Sequence, residues 1–322
     1  MSRFPRPEDS RALLIGVADY PVGGAFPDVP PAIHNVSRMQ SILTDSVYGG
    51  FSRANCRMFI NPQSGEGIRA AVQAAAQQAT DVLLVYYVGH GSRWGRELYL
   101  TSCSSKPESI ETTGLRYATM RELLKATRAR IIIVILDCCF SGLAAGLLGG
   151  AETQLEESDL LSSDSDDEYL GDSTDGICIL ASSGPNQPSR DSDGSEYTAF
   201  TGAFVDALTA APLKGSPKLD LESLFRATKR RMRSAGLPHE PLIAKFGGAE
   251  RVAIVRERPP GRVPAEATPD RASPKTRLNP AVLSWRTTTV AGQSYEFDVF
   301  SERLAAKIIS QQLLSGDDDD LE

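Results

Sequence analysis

The most constraining feature of this chain is a run of six apolar residues, IIIVIL, at positions 131–136. A strand with one solvated face alternates apolar and polar side chains, whereas a continuous apolar run indicates a strand buried on both faces. Burial on both faces requires a layer of helices on each side of the sheet. The run therefore favours an α/β fold with a mostly parallel sheet.

Other segments supply the alternation of strands and helices that such a fold needs. Strand-like runs occupy 11–18, 56–60, 81–88, 97–101, 177–182 and 251–255, and helical patterns occupy 32–45, 65–79, 117–127, 198–210 and 219–234. Strands alternating with helices indicate a mostly parallel sheet covered on both sides, which is a three-layer α/β/α sandwich.

Charge is distributed unevenly along the chain, although the formal net charge is −7. Residues 152–175 contain ten Asp or Glu and no Lys or Arg, and residues 317–322 contain five more acids. Without these fifteen acids, the remainder of the chain carries a net charge of +8. The sequence therefore describes a basic body with two acidic runs.

Two compositional breaks divide the chain. Residues 143–176 are small, polar and acidic, which is typical of a mobile loop, and residues 259–280 contain six prolines and indicate a semi-rigid linker. We expect a main domain over 1–258 and a small C-terminal segment over 281–322 that ends in the acidic tail. A segment of this size buries little core by itself, so we expect it to dock, to pair with a partner or to stay loose.

The composition is that of an ordinary globular protein, with 41% hydrophobic and 23% charged residues, which excludes wholesale disorder and a fibrous structure. No apolar stretch approaches the roughly 18 residues of a membrane span, and the N-terminus lacks the apolar stretch of a secretory signal. Five cysteines do not make a disulfide framework in a chain of 322 residues. We therefore expect a cytoplasmic protein.

Two motifs with glycines follow buried strand-like runs, where the reactive groups of an open parallel sheet gather. His90 follows VYYV between Gly89 and Gly91, and Cys139 follows IIIVIL in the segment DCCFSG. A thiol and an imidazole at neighbouring strand ends can act as nucleophile and general base in peptide hydrolysis. The backbone N–H groups of Gly91 and Cys139 are candidate donors to the oxyanion.

Strand alternation distinguishes the residues of the second motif. If the backbone stays extended over 137–139, Asp137 and Cys139 share one face and Cys138 takes the other. We therefore identify Cys139 as the nucleophile, Cys138 as a core or wall residue, and Asp137 as a carboxylate able to receive a cationic substrate side chain. A lone Cys or His is more often structural, and it is the joint placement of the two that favours catalysis.

The remaining cysteines and histidines carry weaker signals. Cys56 and Cys178 lie inside apolar strand-like runs and are expected in the core, and Cys103 is a loop residue without an assigned role. His34 and His239 lack flanking glycines, so we expect surface or structurally satisfied residues.

The two motifs together resemble those of the caspase–metacaspase family of cysteine peptidases, because LLVYYVGHGSR is followed about fifty residues later by IIIVILDCCFSG. RALLIGVADYP, ELYLT and LASSGPNQPS resemble the same family, so the resemblance covers about 10–257, and it is strongest to bacterial caspase-like proteins. It implies a six-stranded, parallel-rich sheet between helices, with a large and a small subunit region in one chain. It also implies a dyad of His90 and Cys139, with Asp137 in the specificity pocket.

Some positions differ from the family pattern. Metacaspases have a His after the nucleophile where this chain has Phe140, a position that is not the base. A second pocket acid is expected where PAIHNVSR has Asn35, and Asp19 in VADYP is an alternative acid. The resemblance further implies that Ser182 and Ser183 flank the substrate backbone.

The acidic run falls where the family has its intersubunit linker, which caspases commonly cut during activation. No Lys or Arg lies between Arg130 and Arg190, so a peptidase specific for basic residues does not cut itself there. We favour a single-chain enzyme that cleaves after Arg or Lys. The alternatives are an Asp-specific enzyme that cuts after an acid such as Asp164 or Asp175, a loop that lies over the site and screens it electrostatically, and a solvated linker without further function.

No cofactor is predicted from the residues themselves, and no metal site. Calcium is implied by family analogy alone, because the acidic run does not match the spacing of an EF-hand loop. The expected partner is a protein or peptide substrate, and 281–322 is a candidate contact for a sensor or regulatory protein. The basic segment at 224–236 has no aromatic platform beside it, so a solvated helix face is favoured over nucleic-acid binding.

Two further functions compete with that of a cysteine endopeptidase. A catalytically silent scaffold with a caspase fold is opposed by the intact His90 and Cys139. A serine hydrolase using Ser141 is opposed by the absence of the first glycine of G-x-S-x-G from CFSGL. By resemblance to bacterial relatives, we expect a role in defence or cell death.

Overall fold

The computed structural model describes residues 3–21, 26–142, 144, 174–183, 195–210, 219–237 and 240–256, together with the backbone of 286–290 and 293–297. The chain forms two compact units, Met1–Ala267 and Thr268–Glu322. Most of the predicted acidic loop and the whole Pro-rich linker lie outside the described residues, so the predicted domain boundaries stay a prediction.

A six-stranded sheet forms the centre of the first unit. The described strands of this unit, which belong to the central sheet or to a smaller one, are β1 (Arg11–Gly16), β2 (Cys56–Ile60), β3 (Val82–Val88), β4 (Gly91–Trp94), β5 (Glu97–Leu100), β6 (Leu115–Arg116), β7 (Ile131–Asp137), β8 (Gly176–Ala181) and β9 (Leu242–Phe246). The central sheet has the order β2-β1-β3-β7-β8-β9, in which all neighbours are parallel except β8 and β9. The short strands β4, β5 and β6 form a separate antiparallel sheet.

Helices cover both faces of the central sheet. They are α1 (Pro31–Leu43), α2 (Gly65–Gln78), α3 (Ile110–Thr113), α4 (Tyr117–Lys125), α5 (Ala199–Thr209) and α6 (Leu221–Ser234). One layer contains α1, α5 and α6, in which α5 packs on both α1 and α6, and α2 packs on α4 in the other layer. The predicted three-layer α/β/α sandwich with a mostly parallel six-stranded sheet is therefore confirmed.

The sequence explains where the elements begin and which are central. Every residue of β3 and β7 is buried, as their uninterrupted apolar runs predict, and these strands occupy the middle of the sheet. Ser64 caps α2 by accepting a hydrogen bond from the Gly67 N–H at 3.1 Å, and Asp220 caps α6 by accepting from the Ser223 N–H at 2.8 Å. The two innermost strands carry the site described below.

The predicted strand at 251–255 is wrong. A 3-10 helix occupies Ala249–Arg251, and beyond it Val252 and Val255 form only isolated bridges with Arg3 and Gly49. The apolar side chains of this run are buried, so it contributes to the core without joining the sheet. The sixth strand is β9, an edge strand whose residues are mostly half-buried and whose apolar signal is correspondingly weaker.

The second unit contains a two-stranded antiparallel hairpin of β10 (Arg286–Val290) and β11 (Gln293–Phe297). The sequence segment YEFDVF (295–300) overlaps β11 over residues 295–297. Within the described ranges, no helix is long and apolar enough to cross a membrane.

Candidate active site

The carboxyl ends of β3 and β7 bring the two predicted motifs together. The strands are adjacent and parallel, with Val88 paired to Asp137. His90 and Cys139 each follow this pair by two residues, and the Gly89 N–H donates to the Asp137 carbonyl oxygen at 3.3 Å. The two candidate catalytic residues therefore lie on neighbouring turns at one edge of the sheet, and both are half-buried.

Gly91 lies directly against the turn that carries the cysteine. A Cβ atom at this position would lie 2.2 Å from the carbonyl oxygen of Cys139, so only glycine fits. The Thr101 N–H donates to the His90 carbonyl oxygen at 3.3 Å. In an antiparallel pair this bond makes Gly91 a non-hydrogen-bonded position, which turns its N–H away from β5.

The segment after β1 holds the imidazole of His90. The Nε2 atom lies 2.8 Å from the carbonyl oxygen of Pro27, and the ring stacks on Phe26 with the centroids 5.3 Å apart. The ring of Tyr20 packs on the imidazole with a centroid distance of 4.9 Å. Because a carbonyl oxygen only accepts, Nε2 carries a proton, and the neutral ring is then unprotonated at Nδ1.

Three hydroxyl groups fix the backbone of His90. The Tyr20 hydroxyl accepts from the His90 N–H at 2.9 Å, and the hydroxyls of Tyr87 and Thr101 donate to the His90 carbonyl oxygen at 2.8 and 2.9 Å. Burial raises the pKa of both tyrosines above the ordinary value of 10, so these phenols stay protonated. Sequence reasoning missed Tyr20 and Pro27, for which the only local signal is their place after the end of β1.

The two adjacent cysteines differ as strand alternation predicts. Cys138 is fully buried, and burial raises the pKa of its thiol well above the ordinary value, with further contributions from Cys139 and Asp137. Cys139 is half-buried at the turn that follows β7. Phe140 adopts a φ of 58°, a left-handed conformation that turns the chain sharply after Cys139.

Three serines hold the turn. The hydroxyls of Ser182 and Ser183, just beyond β8, donate to the Cys138 carbonyl oxygen at 3.2 and 3.1 Å, and Ser141 accepts from the Ser183 N–H at 3.1 Å. All three serines are buried. The hydroxyls of Ser182 and Ser183 therefore position the cysteine turn, and their predicted place beside the substrate backbone stays a prediction. A buried Ser141 is poorly placed for nucleophilic attack.

Asp137 is only 5% exposed and lies in a buried polar cluster. Its Oδ2 atom accepts from the hydroxyls of Thr198 at 2.5 Å and Thr201 at 2.6 Å, which are the N-cap and an early residue of α5. Asn35 donates to the Thr198 hydroxyl at 2.6 Å, and the Tyr86 hydroxyl lies 2.7 Å from that of Thr201. The N-terminus of α5 thus faces the carboxylate and stabilises its negative charge.

The structure brings Asn35, and not Asp19, to the cluster of Asp137. Asp19 is exposed after β1 and accepts from the Asn61 side chain at 2.6 Å. Because β3 separates β1 from β7, this carboxylate lies on the opposite side of His90 from Cys139. The resemblance implies a second pocket acid at position 35, where this chain has the neutral amide of Asn35 in the cluster of Asp137.

The other predicted residues lie apart from the site or inside the core. Cys56 and Cys178 are buried as expected, and burial raises the pKa of Cys56 to about 12. Cys103 is also buried, which raises its pKa to about 11. His34 is exposed on α1, and His239 lies outside the described residues.

The structure offers no metal centre within its described ranges, because no three His, Cys, Asp or Glu side chains gather there in a way that would hold an ion. None of the five cysteines, all of which are described, forms a disulfide bond.

The family of this chain follows from its similarity to known proteins. A model of the caspase domain matches residues 9–252, which is about three quarters of the chain. The chain belongs to the caspase family of cysteine peptidases.

Its similarity to individual proteins is more limited. The chain is 31% identical to metacaspase-6 of Arabidopsis thaliana over 169 residues, which cover 49% of this chain and 44% of that protein. It is 29% identical to metacaspase-4 of the same plant over 170 residues, which cover 49% and 39%. The matched part thus spans less than half the length of these relatives.

A solved structure also shares similarity with the chain. The crystal structure of caspase-1 from Spodoptera frugiperda superposes with a TM-score of 0.49 and 14% sequence identity, covering 76% of this chain and 88% of that chain.

Proposed function

We propose that the protein is a cysteine endopeptidase that uses Cys139 as nucleophile and His90 as general base. The observation that carries this proposal is the convergence of the two residues on neighbouring turns, with the imidazole oriented by the Pro27 carbonyl. A catalytically silent scaffold would not require the His90 imidazole to be held in this orientation. A serine hydrolase is disfavoured by the burial of Ser141.

The geometry supports a definite sequence of proton transfers. The unprotonated Nδ1 of His90 removes the thiol proton of Cys139, and the thiolate attacks the scissile carbonyl carbon. The N–H groups of Gly91 and Cys139 are proposed to stabilise the oxyanion. The imidazolium then gives the proton to the leaving amine, and water hydrolyses the resulting thioester to regenerate the thiol.

We further propose cleavage after Arg or Lys, with Asp137 as the acidic group of the specificity pocket. Asp137 lies two residues before the nucleophile, and its Oδ2 atom accepts hydrogen bonds from the hydroxyls of Thr198 and Thr201 at the start of α5. A carboxylate this close to the nucleophile attracts a guanidinium or ammonium group of the substrate and repels an acidic side chain.

The Asp-specific alternative with self-cleavage after Asp175 is disfavoured by the position of that residue. The Asp175 N–H donates to the Arg130 carbonyl oxygen at 2.7 Å, and its carboxylate lies 2.6 Å from the Arg130 guanidinium and 3.5 Å from that of Arg3. Arg130 precedes β7, nine residues before Cys139, which corresponds to roughly 25–30 Å at the rise of a strand. Asp175 is therefore held at the opposite end of the sheet from the nucleophile, and Asp164 lies outside the described residues.

A peptide-library cleavage profile tests the proposed activity and specificity. We expect the wild type to cleave after Arg or Lys, Cys139→Ala to cleave nothing, and Asp137→Ala to lose the preference for basic residues. Cys138→Ala is the matched control, because it removes a neighbouring thiol that has no proposed chemical role. Cleavage by Cys139→Ala would overturn the nucleophile, and an unchanged preference of Asp137→Ala would overturn the pocket.

The biological setting is proposed from resemblance to bacterial caspase-like proteins alone. It is a cytoplasmic defence or cell-death system in which 281–322 contacts a sensor or regulatory protein. Calcium belongs to the same resemblance, so the assays above are to be run with and without it. We expect a variant without 281–322 to lose its binding to the sensor or regulatory protein. Unchanged binding would show that this segment does not contact that protein.

A further inference from the structure

We propose that β4, with the exposed Trp94 at its end, binds the part of the substrate that follows the scissile bond and selects a large apolar side chain there. This inference rests on the proposed peptidase function, because it assigns a further subsite to the same active site. The occupant is an extended peptide segment, the leaving half of the substrate.

The chemistry of the reaction determines on which side of the site this segment lies. The imidazolium of His90 gives its proton to the leaving amine, so the nitrogen that begins the leaving segment must lie next to His90. The residue before the scissile bond is directed to the other side, toward Asp137 and the N-terminus of α5. The leaving segment therefore extends from His90 away from β8.

The chain that continues from His90 is β4. Its first residue, Gly91, lies against the carbonyl oxygen of Cys139, and the strand runs outward to Trp94. Because β4 pairs only with β5 among the described strands, its other edge is an edge of the small sheet. An extended peptide can add to such an edge through main-chain hydrogen bonds, with pockets or anchors for its side chains.

Distances along the strand indicate which substrate residue Trp94 would contact. Trp94 is the third residue after Gly91, a distance of about 10 Å at the rise of a strand. An extended peptide that starts at the scissile bond and runs alongside β4 covers the same distance in three residues. Trp94 therefore lies level with the third residue after the scissile bond.

Trp94 has the properties of an anchor. It is 51% exposed, and among the described residues it is the single aromatic side chain in the set of exposed large hydrophobic residues. A two-residue turn with Gly95 at a φ of 62° joins β4 to β5, so Trp94 stands at the tip of a hairpin whose base is the active site. Indole rings offer a large contact area at low conformational cost, which makes them frequent anchors at interfaces.

Quenched-fluorescence peptides test this subsite. The peptides share one sequence up to the cleaved Arg, or up to whichever residue the library selects, and differ in the four residues that follow. One reference peptide has glycine at all four positions, and four others place a Phe at the first, second, third or fourth. The measured quantity is the ratio of kcat/KM for each Phe peptide to that for the reference.

We expect the ratio to peak at about tenfold for Phe at the third position, mostly through a lower KM, because the contact forms on binding. Trp94→Ala is expected to bring this ratio close to one, and Trp94→Phe to restore most of it. Met58→Ala, which removes another exposed apolar side chain on the distant strand β2, is the control and is expected to keep the wild-type ratio.

The outcomes separate the two proposals. If the wild type cleaves neither the reference nor any Phe peptide, the peptidase function itself fails. If it cleaves the reference but shows no gain at any position, or keeps the same gain in Trp94→Ala, the subsite is overturned and the peptidase function stands.

Discussion

At the scale of single residues, Gly91 offers the sharpest test of the site's geometry. Replacing it with Ala places a Cβ atom 2.2 Å from the Cys139 carbonyl oxygen and forces the cysteine turn to move. We expect kcat to fall about 100-fold or more, because the displaced Gly91 and Cys139 N–H groups no longer meet the oxyanion. Steady-state kinetics with a peptide substrate measure the loss.

The control for this substitution is Gly67→Ala. Gly67 lies in the first turn of α2, where an added Cβ atom has only ordinary contacts at 3.5 Å or more, so we expect unchanged activity. A Gly91→Ala enzyme with wild-type kcat would show that the turn is not held as described.

The sequence predicts the positions of residues that lie within strands or directly after them. The strand patterns place His90 and Cys139 after neighbouring strands, and alternation along β7 distinguishes the buried Cys138 from the half-buried Cys139. The residues that sequence reasoning missed act across long sequence distances. Tyr20 contacts His90 across 70 residues, and Asn35 reaches Thr198 across 163, and no local periodicity records such contacts.

At the scale of elements, Asp81 joins the N-terminal segment to the start of β3. Its side chain is fully buried and accepts hydrogen bonds from the Arg3 guanidinium, from the Arg6 N–H at 2.7 Å and from the Ser10 hydroxyl at 3.4 Å. Burial alone would raise the pKa of this carboxyl, but the hydrogen bonds and the nearby arginines outweigh it and lower the pKa.

We therefore expect Asp81→Asn to reduce the free energy of unfolding by about 2 kcal/mol, because Asn leaves the Arg3 and Arg6 donors without their anionic acceptor. Urea denaturation at neutral pH measures the change. Asp9→Asn is the control, since Asp9 pairs with Arg6 at 3.1 Å on the surface and such pairs contribute less than about 1 kcal/mol. Equal effects of the two substitutions would contradict the role of Asp81.

The same carboxyl predicts a direction of pH dependence. A lowered folded-state pKa means that the stabilisation is complete above the unfolded value of about 3.9 and is lost as the pH falls through the lower folded value. The difference in unfolding free energy between wild type and Asp81→Asn should therefore shrink as the pH drops below about 4. A difference that stays constant down to the acid transition would show that the charge of Asp81 does not matter.

Two segments show that apolar content alone does not predict a strand. The run at 251–255 is as apolar as a strand but packs into the core after a 3-10 helix, whereas β9 is an edge strand with a weaker signal. A high apolar content indicates that a segment is buried. A strand forms only if a neighbouring strand also offers an unpaired edge to it. Residues 247 and 248 turn the chain through two left-handed glycines before the run, which prevents it from continuing β9.

At the scale of the whole molecule, the acidic run contains none of the residues to which we assign a role in catalysis. The proposed dyad, the proposed oxyanion donors and Asp137 all have positions outside 152–172 in the sequence, and no Lys or Arg lies between Arg130 and Arg190. We expect the enzyme to work as one chain, and a variant without 152–172 to keep its peptidase activity within a few-fold. Intact-mass spectrometry during turnover, together with kcat/KM for the deletion variant, checks both statements.

Two results would contradict this account of the acidic run. Activity that appears only after a cut within 152–172 would show that the chain is activated by processing. An altered response to calcium in the deletion variant would assign the segment a regulatory role, whereas unchanged activity and cation response would leave it as a solvated linker.

Covalent labelling of the full chain with a peptidyl chloromethyl ketone that ends in Arg, followed by mass spectrometry of the digested protein, identifies the nucleophile directly. We expect a thioether on Cys139 and none on Cys138, whose thiol is buried and has a raised pKa. Labelling should also disappear in Cys139→Ala. The absence of an adduct on Cys139 with either the Arg reagent or its Asp counterpart, with and without calcium, would contradict the assignment of this protein as a cysteine peptidase.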